Sequence, residues 1–466
     1  MASADAAIGI PAERTEHGAA GRDVPDVLRV LLNGAVFVLL WNHVWLKDLS
    51  DRSSLAASED GSLLTQVLFV AAGLGMAAAL HRIGFRHLRP LMTRPLILCG
   101  AWLGVTALMS VEPSLSLRRL ALFAIAAMLS AGVLLVARSP RQLALTLAGS
   151  ALVILVSSYL AVALVPDLAI HSAFDVNSDP SHPGLWRGIF PQKNEAGAAM
   201  VILVIVGLYV ASAASRILGW TIVLLAIGLL VASGSKTAIL LLPVILAITS
   251  LCRIFTGGGM RGLLLLGPIV GFSLISIGSV LVPAIQDAIG ALLTDATFTG
   301  RSEIWQFALD NIMVRPWRGW GIGAFWMTER TMYGGSEELT WVNTANHSHN
   351  AYLDTALIGG FPFLVLTLWA FVLAPVRDLQ RGTGGRRLDA ETLLFLRLWF
   401  LGLVSASFET VLYNGNNATC CMFMMAVFGL RLRTRYAIAR GVRRIRPRPP
   451  PAAPAAAGGP RRSPRR

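Results

Sequence analysis

Charged residues are scarce in this chain of 466 residues: they form 14% of it, whereas hydrophobic residues form 55%. Soluble globular domains usually carry about 25% charged residues. This shortage of charge excludes a soluble enzyme, and the mean hydropathy of +0.62 points the same way. We therefore expect an integral membrane protein.

Cysteine is rare as well. Its copies, Cys99, Cys252, Cys420 and Cys421, fall in or at the edge of apolar stretches. Thiols in such positions usually behave as small hydrophobic groups rather than as disulfide partners. The cysteines therefore do not identify the redox compartment.

Long apolar stretches are abundant. A transmembrane helix needs about 20 apolar residues, whereas the strands of a membrane barrel alternate apolar and polar residues. The run from Met200 to Leu208 does not alternate, so the predicted fold is an all-α integral membrane protein with about 12 transmembrane helices. We place these helices at about 27–46, 62–80, 95–110, 120–137, 143–165, 196–214, 217–232, 236–253, 262–283, 351–374, 393–412 and 418–431.

Arginines between these helices predict their orientation, because lysine and arginine are enriched in cytoplasmic loops. They collect in alternate loops, which we place in the cytoplasm together with both termini. The arginines are Arg82, Arg86, Arg89, Arg94, Arg138, Arg141, Arg216, Arg253, Arg261, Arg377, Arg381, Arg386 and Arg387. The same alternation puts two longer segments, about 166–195 and 284–350, on the opposite side of the membrane.

The net charge of +14 does not indicate a nucleic-acid partner, because most of it lies in one tail. The segment from Arg431 to Arg466 holds twelve arginines and no acidic residue. We predict a cytoplasmic N-terminal tail at 1–26, a polytopic membrane domain at 27–431 and a disordered basic cytoplasmic tail at 432–466. That tail either anchors the topology or contacts anionic lipid headgroups.

The long segment 284–350 is expected to be ordered, because it is rich in tryptophan and carries a helical pattern. A loop of this length is usually either functional or disordered. Residues 301–313 predict an amphipathic helix, ended by Pro316, at the outer interface of the membrane. Its apolar face is formed by Ile304, Trp305, Ala308, Leu309 and Ile312.

Polar side chains gather on the side opposite the cytoplasmic loops. They are Arg187, Lys193, Asn194, Arg301, Glu303, His347, His349, Asp354 and Glu409, the last near the outer end of the eleventh predicted helix. A carboxylate inside a membrane helix costs roughly 2–3 kcal/mol, so Glu409 is expected to have a partner or a wet cavity. An ion pair that positions helices is the plain alternative for Glu409, and an interfacial position is the alternative for Arg187 and Arg301.

These residue types suit one kind of chemistry. The outer loops lack HExxH, Asp-x-Asp and Cys/His patterns, so neither a zinc hydrolase nor a nucleotide-sugar enzyme is indicated. Guanidinium groups hold phosphate through paired hydrogen bonds, and histidine accepts a proton near neutral pH. The set therefore fits an alcohol that attacks while a pyrophosphate leaves, without a metal or cofactor.

Three blocks at these residues resemble the O-antigen ligase and Wzy-type polymerase superfamily, most closely its succinoglycan-type exopolysaccharide polymerases. The blocks are WRGIFPQKNEAGAAM (186–200), GRSEIWQFALDNIMVRPWRGWGIGAFW (300–326) and NHSHNAYLDTALIGGFP (346–362). Their order and spacing match over about 180–365. Residues 407–409 add a weaker similarity, whereas the first five helices match in hydropathy alone.

The resemblance implies an enzyme of the bacterial inner membrane whose active site faces the periplasm. It would transfer polyprenyl-pyrophosphate-linked oligosaccharide repeats, with inversion, onto a growing polysaccharide. The implied partners are these two substrates, membrane lipid and a chain-length regulator.

The resemblance also implies residue roles. The arginines would engage the pyrophosphate and a histidine would activate the acceptor. The expected catalytic residues are His349, Arg301 and Arg187, and the expected substrate-binding residues are Lys193, Asn194, His347, Asn350 and Glu409. His347 competes with His349 for the role of base. We favour His349 because Asn350 follows it and because Asp354 is close enough in sequence to orient its ring.

Two alternatives remain open. A ligase of the same family would move the glycan to lipid A core or to protein, although the Lys193-Asn194 pair favours a polymerase. A transporter of polysaccharide or lipid-linked sugar would also have many helices and basic outer residues. Such transporters usually show internal repeats and broken helices at the bilayer midplane, and the sequence shows neither.

Overall fold

The computed structural model describes residues 24–41, 63–173, 182–292, 301–326, 328, 345–415 and 417–444. These residues form helices joined by turns and loops, with an isolated antiparallel bridge between Ile170 and Trp186. The predicted N-terminal tail and most of the predicted C-terminal tail lie outside the described residues, as does the segment 329–344 of the long loop.

The principal helices of this part overlap the predicted spans, but the last helix continues to Arg444, so the predicted disordered tail at 432–466 begins inside a helix. They are α1 (Asp26–Trp41), α2 (Leu63–Ile83), α3 (Arg94–Leu108), α4 (Pro113–Val136), α5 (Pro140–Leu164), α6 (Lys193–Ala213), α7 (Arg216–Ser233), α8 (Lys236–Ile254), α9 (Gly258–Leu281), α10 (Pro283–Leu292), α11 (Arg301–Val314), α12 (Ala351–Thr383), α13 (Ala390–Ser405) and α14 (Ala418–Arg444). Short helical turns at Phe85–His87 and Pro166–Ala169 lie between them. Each predicted span overlaps one helix, and α10 and α11 belong to the long loop.

Eight helices of the described part are long and apolar enough to cross a membrane: α2, α4, α5, α6, α7, α8, α9 and α12. Helix α3 is apolar but shorter. The chain is therefore a multi-pass, all-helical membrane protein in the residues described. The twelve crossings and their direction stay predictions.

Local sequence signals explain where several helices begin and end. Proline occupies the first turn of α3, α4 and α5, where its missing N–H costs no helical hydrogen bond. The side chains of Ser139 and Asp389 cap the starts of α5 and α13. Helix α7 stops at Gly234, whose φ of 58° lies in the left-handed region that glycine tolerates.

The long loop is fastened to α12 by a separate apolar cluster. Trp305 of α11 and Trp320 are fully buried there, packed with Leu353 and Leu357 of α12. The backbone N–H of Trp320 donates to the carbonyl of Leu357 at 2.7 Å. These contacts hold the segment 320–326 beside the start of α12, where the polar residues gather.

The predicted amphipathic helix at 301–313 is confirmed as α11, Arg301–Val314. Its buried residues are Ile304, Trp305, Ala308 and Ile312, all on the predicted apolar face. Leu309, also assigned to that face, is only partly buried. The position of α11 at the membrane interface stays a prediction.

The eleventh predicted helix, 393–412, is wrong at its outer end, because α13 stops at Ser405. The chain then turns and folds back as a loop, 406–417, before α14 begins. Asn417 caps α14 by accepting hydrogen bonds from the backbone of Thr419 and Cys420. Hydropathy did not show this break, because the loop contains apolar residues, but the break places Glu409 outside the helix.

Candidate functional site

A cavity of about 480 Å³ lies at the end of the bundle that the sequence predicts to face the periplasm. Its walls are the ends of α1, α2, α4, α6, α8, α12 and α14, together with the segments 321–326, 346–349 and 409–415. Cavities of this size are typical of small-molecule and cofactor sites. The polar residues that line it include Arg118, Arg119, Asn194, Glu195, His347, His349, Asp354 and Glu409.

One wall contains His349 and Glu409, and Arg301, which does not itself line the cavity, belongs to the same hydrogen-bonded chain. Nδ1 of His349 lies 3.2 Å from Oε2 of Glu409, and the guanidinium of Arg301 donates to Oε1 of Glu409 at 3.1 Å. Arg301 also donates to the carbonyl of Phe408 at 2.5 Å. Each carboxylate oxygen of Glu409 thus has its own partner, which fixes the carboxylate and the imidazole together.

Glu409 is positioned by the loop that follows α13. Its backbone N–H donates to the carbonyl of Ser405 at 2.8 Å, which continues the last turn of the helix for one residue. Burial opposes ionisation, but the hydrogen bond from His349 and the positive charge of Arg301 lower the pKa of Glu409 to about 2. The group is therefore a carboxylate near neutral pH, and Nδ1 of His349 is its hydrogen-bond donor.

His347 is part of the same wall but in a different state. Its Nδ1 accepts the backbone N–H of His349 at 3.2 Å, and the two rings meet edge to face with centroids 4.0 Å apart. His349 has a φ of 53°, a conformation that non-glycine residues seldom adopt. Burial is the main cause that lowers the pKa of His347, to about 3, so His347 is neutral near neutral pH.

The expectation that Asp354 orients His349 is wrong. The carboxylate of Asp354 accepts hydrogen bonds from Trp326 Nε1 at 2.9 Å, from the backbone N–H of Ser348 at 3.2 Å and from the Thr410 hydroxyl. These donors tie three segments of the cavity wall together. The carboxylate that orients His349 is that of Glu409. Glu409 lies 60 residues from His349, so sequence spacing could not identify it as the partner.

Asn350, expected to bind substrate, is fully buried and acts as the N-cap of α12. Its Oδ1 accepts the backbone N–H groups of Tyr352 and Leu353, and its Nδ2 donates to the carbonyl of Ser407 at 3.1 Å. It joins the loop after α13 to the start of α12. Asn350 does not belong to the described residues that line the cavity.

The remaining predicted residues lie at different distances from this wall. Asn194 lines the cavity at the start of α6, and its Oδ1 accepts the Ser235 hydroxyl at 3.3 Å. Lys193 and Arg187 are not among the described lining residues. Arg187 is buried, and its Nε donates to the carbonyl of Leu168 at 2.8 Å, which supports the loop before α6.

Two cationic residues of the cavity were missed by sequence reasoning. Arg118 and Arg119 lie in the second turn of α4 and line the wall that includes the segment 321–326. Their position could have indicated a function. The orientation rule places this end of α4 on the outer side of the membrane, where arginine is not enriched, so two adjacent arginines there are unexpected.

A metal site is not formed by the described residues, among which no three or more His, Cys, Asp or Glu side chains come together to hold an ion.

The fold and the cavity define a class: a multi-pass helical membrane protein with a polar, charged cavity at one end of its bundle. Residues 221–368 match the family model Wzy_C, described as O-antigen ligase. The predicted resemblance to the O-antigen ligase and Wzy-type superfamily is confirmed over this segment. No curated protein matches the chain.

The matched segment covers less than half of the chain, and it divides the site. It contains Arg301, His347 and His349, whereas Arg187 and Glu409 lie outside it. Members of this family are glycosyltransferase-like membrane enzymes that act on lipid-linked sugars. Closeness to the succinoglycan-type branch stays a prediction.

Proposed function

We propose that this protein is an inner-membrane glycosyltransferase that polymerises polyprenyl-pyrophosphate-linked oligosaccharide repeats into exopolysaccharide at the periplasmic face. The proposal includes inversion at the transferred sugar, catalysis without a metal, and a chain-length regulator as partner. The observation that carries it is a histidine in the wall of the cavity, oriented by a carboxylate that an arginine holds in place.

His349 is the proposed general base. Because its Nδ1–H donates to Glu409, the lone pair of Nε2 is left to accept a proton. The hydroxyl oxygen of the acceptor sugar attacks the anomeric carbon of the donor, and the hydroxyl proton passes to Nε2. The bond between that carbon and the phosphate oxygen breaks, and polyprenyl diphosphate leaves with the electron pair.

His347 is a poor candidate for the same role. Its Nδ1 already accepts the backbone N–H of His349, so in the neutral ring the proton resides on Nε2. A protonated nitrogen cannot accept another proton. We assign His347 to positioning, because its hydrogen bond supports the unusual backbone conformation of His349.

Arg301 and Arg187 are proposed as positioning residues instead of pyrophosphate ligands. The guanidinium of Arg301 holds Glu409 and the carbonyl of Phe408, and Arg187 holds the carbonyl of Leu168. Neither arginine is among the described residues that line the cavity. Arg301 therefore acts on the reaction through Glu409, by fixing the carboxylate that orients the base.

The composition of the cavity supports a lipid-linked donor. Its lining combines the charged and polar residues named above with apolar side chains that lie further along α4, α6, α8 and α13, among them Leu122, Phe123, Val201, Leu241 and Leu401. A sugar diphosphate on a polyprenyl chain has the same division between a charged head and an apolar tail. A glycosyl donor without a lipid would not require the apolar part.

Transfer to lipid A core or to protein is the second candidate, and the description of the family model as O-antigen ligase favours it. The polymerase assignment rests on the Lys193-Asn194 pair. Purified protein in lipid nanodiscs, given lipid-linked repeats, separates the candidates. A ladder of products indicates a polymerase, and one transfer to added lipid A core indicates a ligase. Absence of transfer to either acceptor would overturn the proposal, and movement of the lipid-linked repeat across a vesicle membrane would indicate a transporter.

A further inference from the structure

The wall of the cavity formed by the start of α4 carries a pair of adjacent arginines that the mechanism above does not use. Among the described residues that line the cavity, Arg118 and Arg119 are the two with a permanent positive charge. Arg118 is exposed and Arg119 is half-buried. Of the acidic residues that line the cavity, Glu409 and Asp354 are hydrogen-bonded within the wall that contains His349, and Glu195 lies at the start of α6.

Hydrogen bonds fix the start of α4 to the segment 320–322 of the long loop. The Ser110 hydroxyl donates to the carbonyl of Trp320 at 2.9 Å, and the Ser116 hydroxyl donates to the carbonyl of Ile322 at 3.0 Å. The two hydroxyls also bond to each other at 2.8 Å. The arginine pair is therefore held by a rigid support, as a binding site requires.

Arg119 lies directly across the backbone of Gly323. A Cβ atom at Gly323 would stand 2.2 Å from Cδ and 2.6 Å from Nε of Arg119. The φ of Gly323 is 70°, which also disfavours any residue with a side chain. The absence of a side chain at position 323 thus allows the guanidinium of Arg119 to extend along the cavity wall.

A third group of the cavity points to a ligand that accepts hydrogen bonds. Trp41, at the end of α1, lines the cavity and is 4% exposed. Its indole N–H has no hydrogen-bond partner among the described residues. An indole nitrogen is a donor only, and leaving a buried donor unsatisfied is costly, so an acceptor in the cavity would stabilise it.

We propose that Arg118 and Arg119, with Trp41 as an additional donor, bind the diphosphate of the lipid-linked substrate. The inference rests on the proposed function and assigns the substrate's anionic group to the α4 wall. Two guanidinium groups match a diphosphate in charge, and their planar donors match its oxygens in geometry. Arg119 is the more strongly positioned of the two, because its side chain packs against the backbone of Gly323.

The probe is radiolabelled polyprenyl diphosphate, the leaving group of the reaction, which is the same whatever sugars the repeat contains. Its affinity is measured for full-length protein in nanodiscs, with polyprenyl monophosphate and inorganic pyrophosphate as competitors. Arg119→Gln is expected to weaken diphosphate binding by about 10-fold to 100-fold, the range for a hydrogen bond to a charged group. Arg118→Gln is expected to weaken it less, and Arg119→Lys to restore it only in part.

Matched variants separate a local effect from misfolding. Arg318→Gln removes an exposed arginine that does not line the cavity and should bind the diphosphate like the parent. Gly323→Ala should reproduce the loss seen with Arg119→Gln, because it displaces the Arg119 side chain. Trp41→Phe keeps the apolar ring, removes the N–H donor and should weaken binding less than Arg119→Gln.

The outcomes distinguish this inference from the proposed function. Weak diphosphate binding in Arg119→Gln but parental binding in His349→Ala supports the inference, even if no polymer is made. Parental binding in both arginine variants overturns it, even if the parent polymerises lipid-linked repeats. Equal competition by inorganic pyrophosphate would show that the site recognises a free diphosphate, and preferential competition by the monophosphate lipid would overturn the diphosphate assignment.

Discussion

The cavity has two walls that are built differently. The base wall comprises His347, His349, Glu409 and the supporting Arg301, and in it Nδ1 of each histidine and both carboxylate oxygens of Glu409 have protein partners at fixed distances. The arginine wall, formed by Arg118 and Arg119 on α4, is fixed by the hydrogen bond from the Ser116 hydroxyl to the carbonyl of Ile322, and Arg119 packs against Gly323. Proton transfer needs an oriented ring, whereas binding an anion needs charge at the cavity surface, and the two walls meet these different needs.

The largest expected effect comes from removing the base itself. His349→Ala should lower the rate of glycosyl transfer by about 10² to 10⁴, the usual contribution of a general base, while diphosphate binding stays parental. The measurement is polymer formation from purified lipid-linked repeats, with binding assayed separately. His347→Ala should be milder, and the reverse order of the two variants would exchange their roles.

Glu409→Gln should give the next largest effect, a loss of transfer of about 10-fold to 100-fold, because a neutral amide replaces the charged partner of both Arg301 and His349. The pKa of Glu409, about 2, is lower than that of an unfolded glutamate, so its contribution to stability is complete above about pH 5 and declines only as pH falls toward 2. The difference in Tm between parent and variant should therefore shrink as the pH is lowered from 5 toward 2. A difference that stays the same over this range would contradict the assignment of a carboxylate.

Arg301→Lys should behave almost like Arg301→Ala in transfer. The guanidinium donates to Glu409 and to the carbonyl of Phe408 at once, and an ammonium on a flexible stem does not reproduce that fork. Both variants should keep diphosphate binding, because Arg301 belongs to the base wall. Full transfer by Arg301→Lys would mean that the charge at this position is sufficient. Weakened diphosphate binding in either variant would mean that Arg301 contributes to the diphosphate site.

Asn350→Ala tests a support of the base wall, because Asn350 joins the start of α12 to the loop after α13, and it should have a smaller effect. Loss of an N-cap costs about 0.5–2 kcal/mol, so the variant should melt at a lower temperature while its affinity for diphosphate stays parental. Asn350→Asp retains the oxygen that caps α12, so its Tm should lie between those of the parent and Asn350→Ala. A selective loss of substrate binding without a change in Tm would favour the original substrate-binding role.

Both walls are proposed to act on the periplasmic side of the membrane. The cysteine variants that test this orientation should keep the parental transfer activity. The native cysteines are buried, so single cysteines introduced at the exposed positions Arg318 and Arg386 can be labelled selectively. A reagent that cannot cross the membrane should modify Arg318→Cys but not Arg386→Cys in intact spheroplasts. The opposite pattern would place the cavity in the cytoplasm.

Much of the fold could be predicted from hydropathy, because each predicted span overlaps a helix and the face of α11 follows its helical period. The end of α13 could not, since the apolar residues after Ser405 look like a continuing helix. In the site, the histidines were found from their block of sequence. The partnership of His349 with Glu409 spans 60 residues and depends on tertiary packing, so sequence spacing favoured Asp354 instead.

The roles of the arginines show the same limit. Arg187 and Arg301 are prominent in the blocks that carry the family resemblance, yet their guanidinium groups bind protein carbonyls. Arg118 and Arg119 lie in a part of the chain that matches only in hydropathy. Only the packing of α4 against the segment 320–323 brings them to the cavity.

The most direct test of the account is to measure transfer and diphosphate binding on the same nanodisc preparations of the parent, His349→Ala and Arg119→Gln. The two-wall account predicts that His349→Ala binds polyprenyl diphosphate like the parent but transfers almost no sugar. It predicts that Arg119→Gln binds weakly and regains much of its transfer rate when the donor concentration is raised. If His349→Ala transfers sugar at the parental rate, the central claim that this histidine is the base is contradicted.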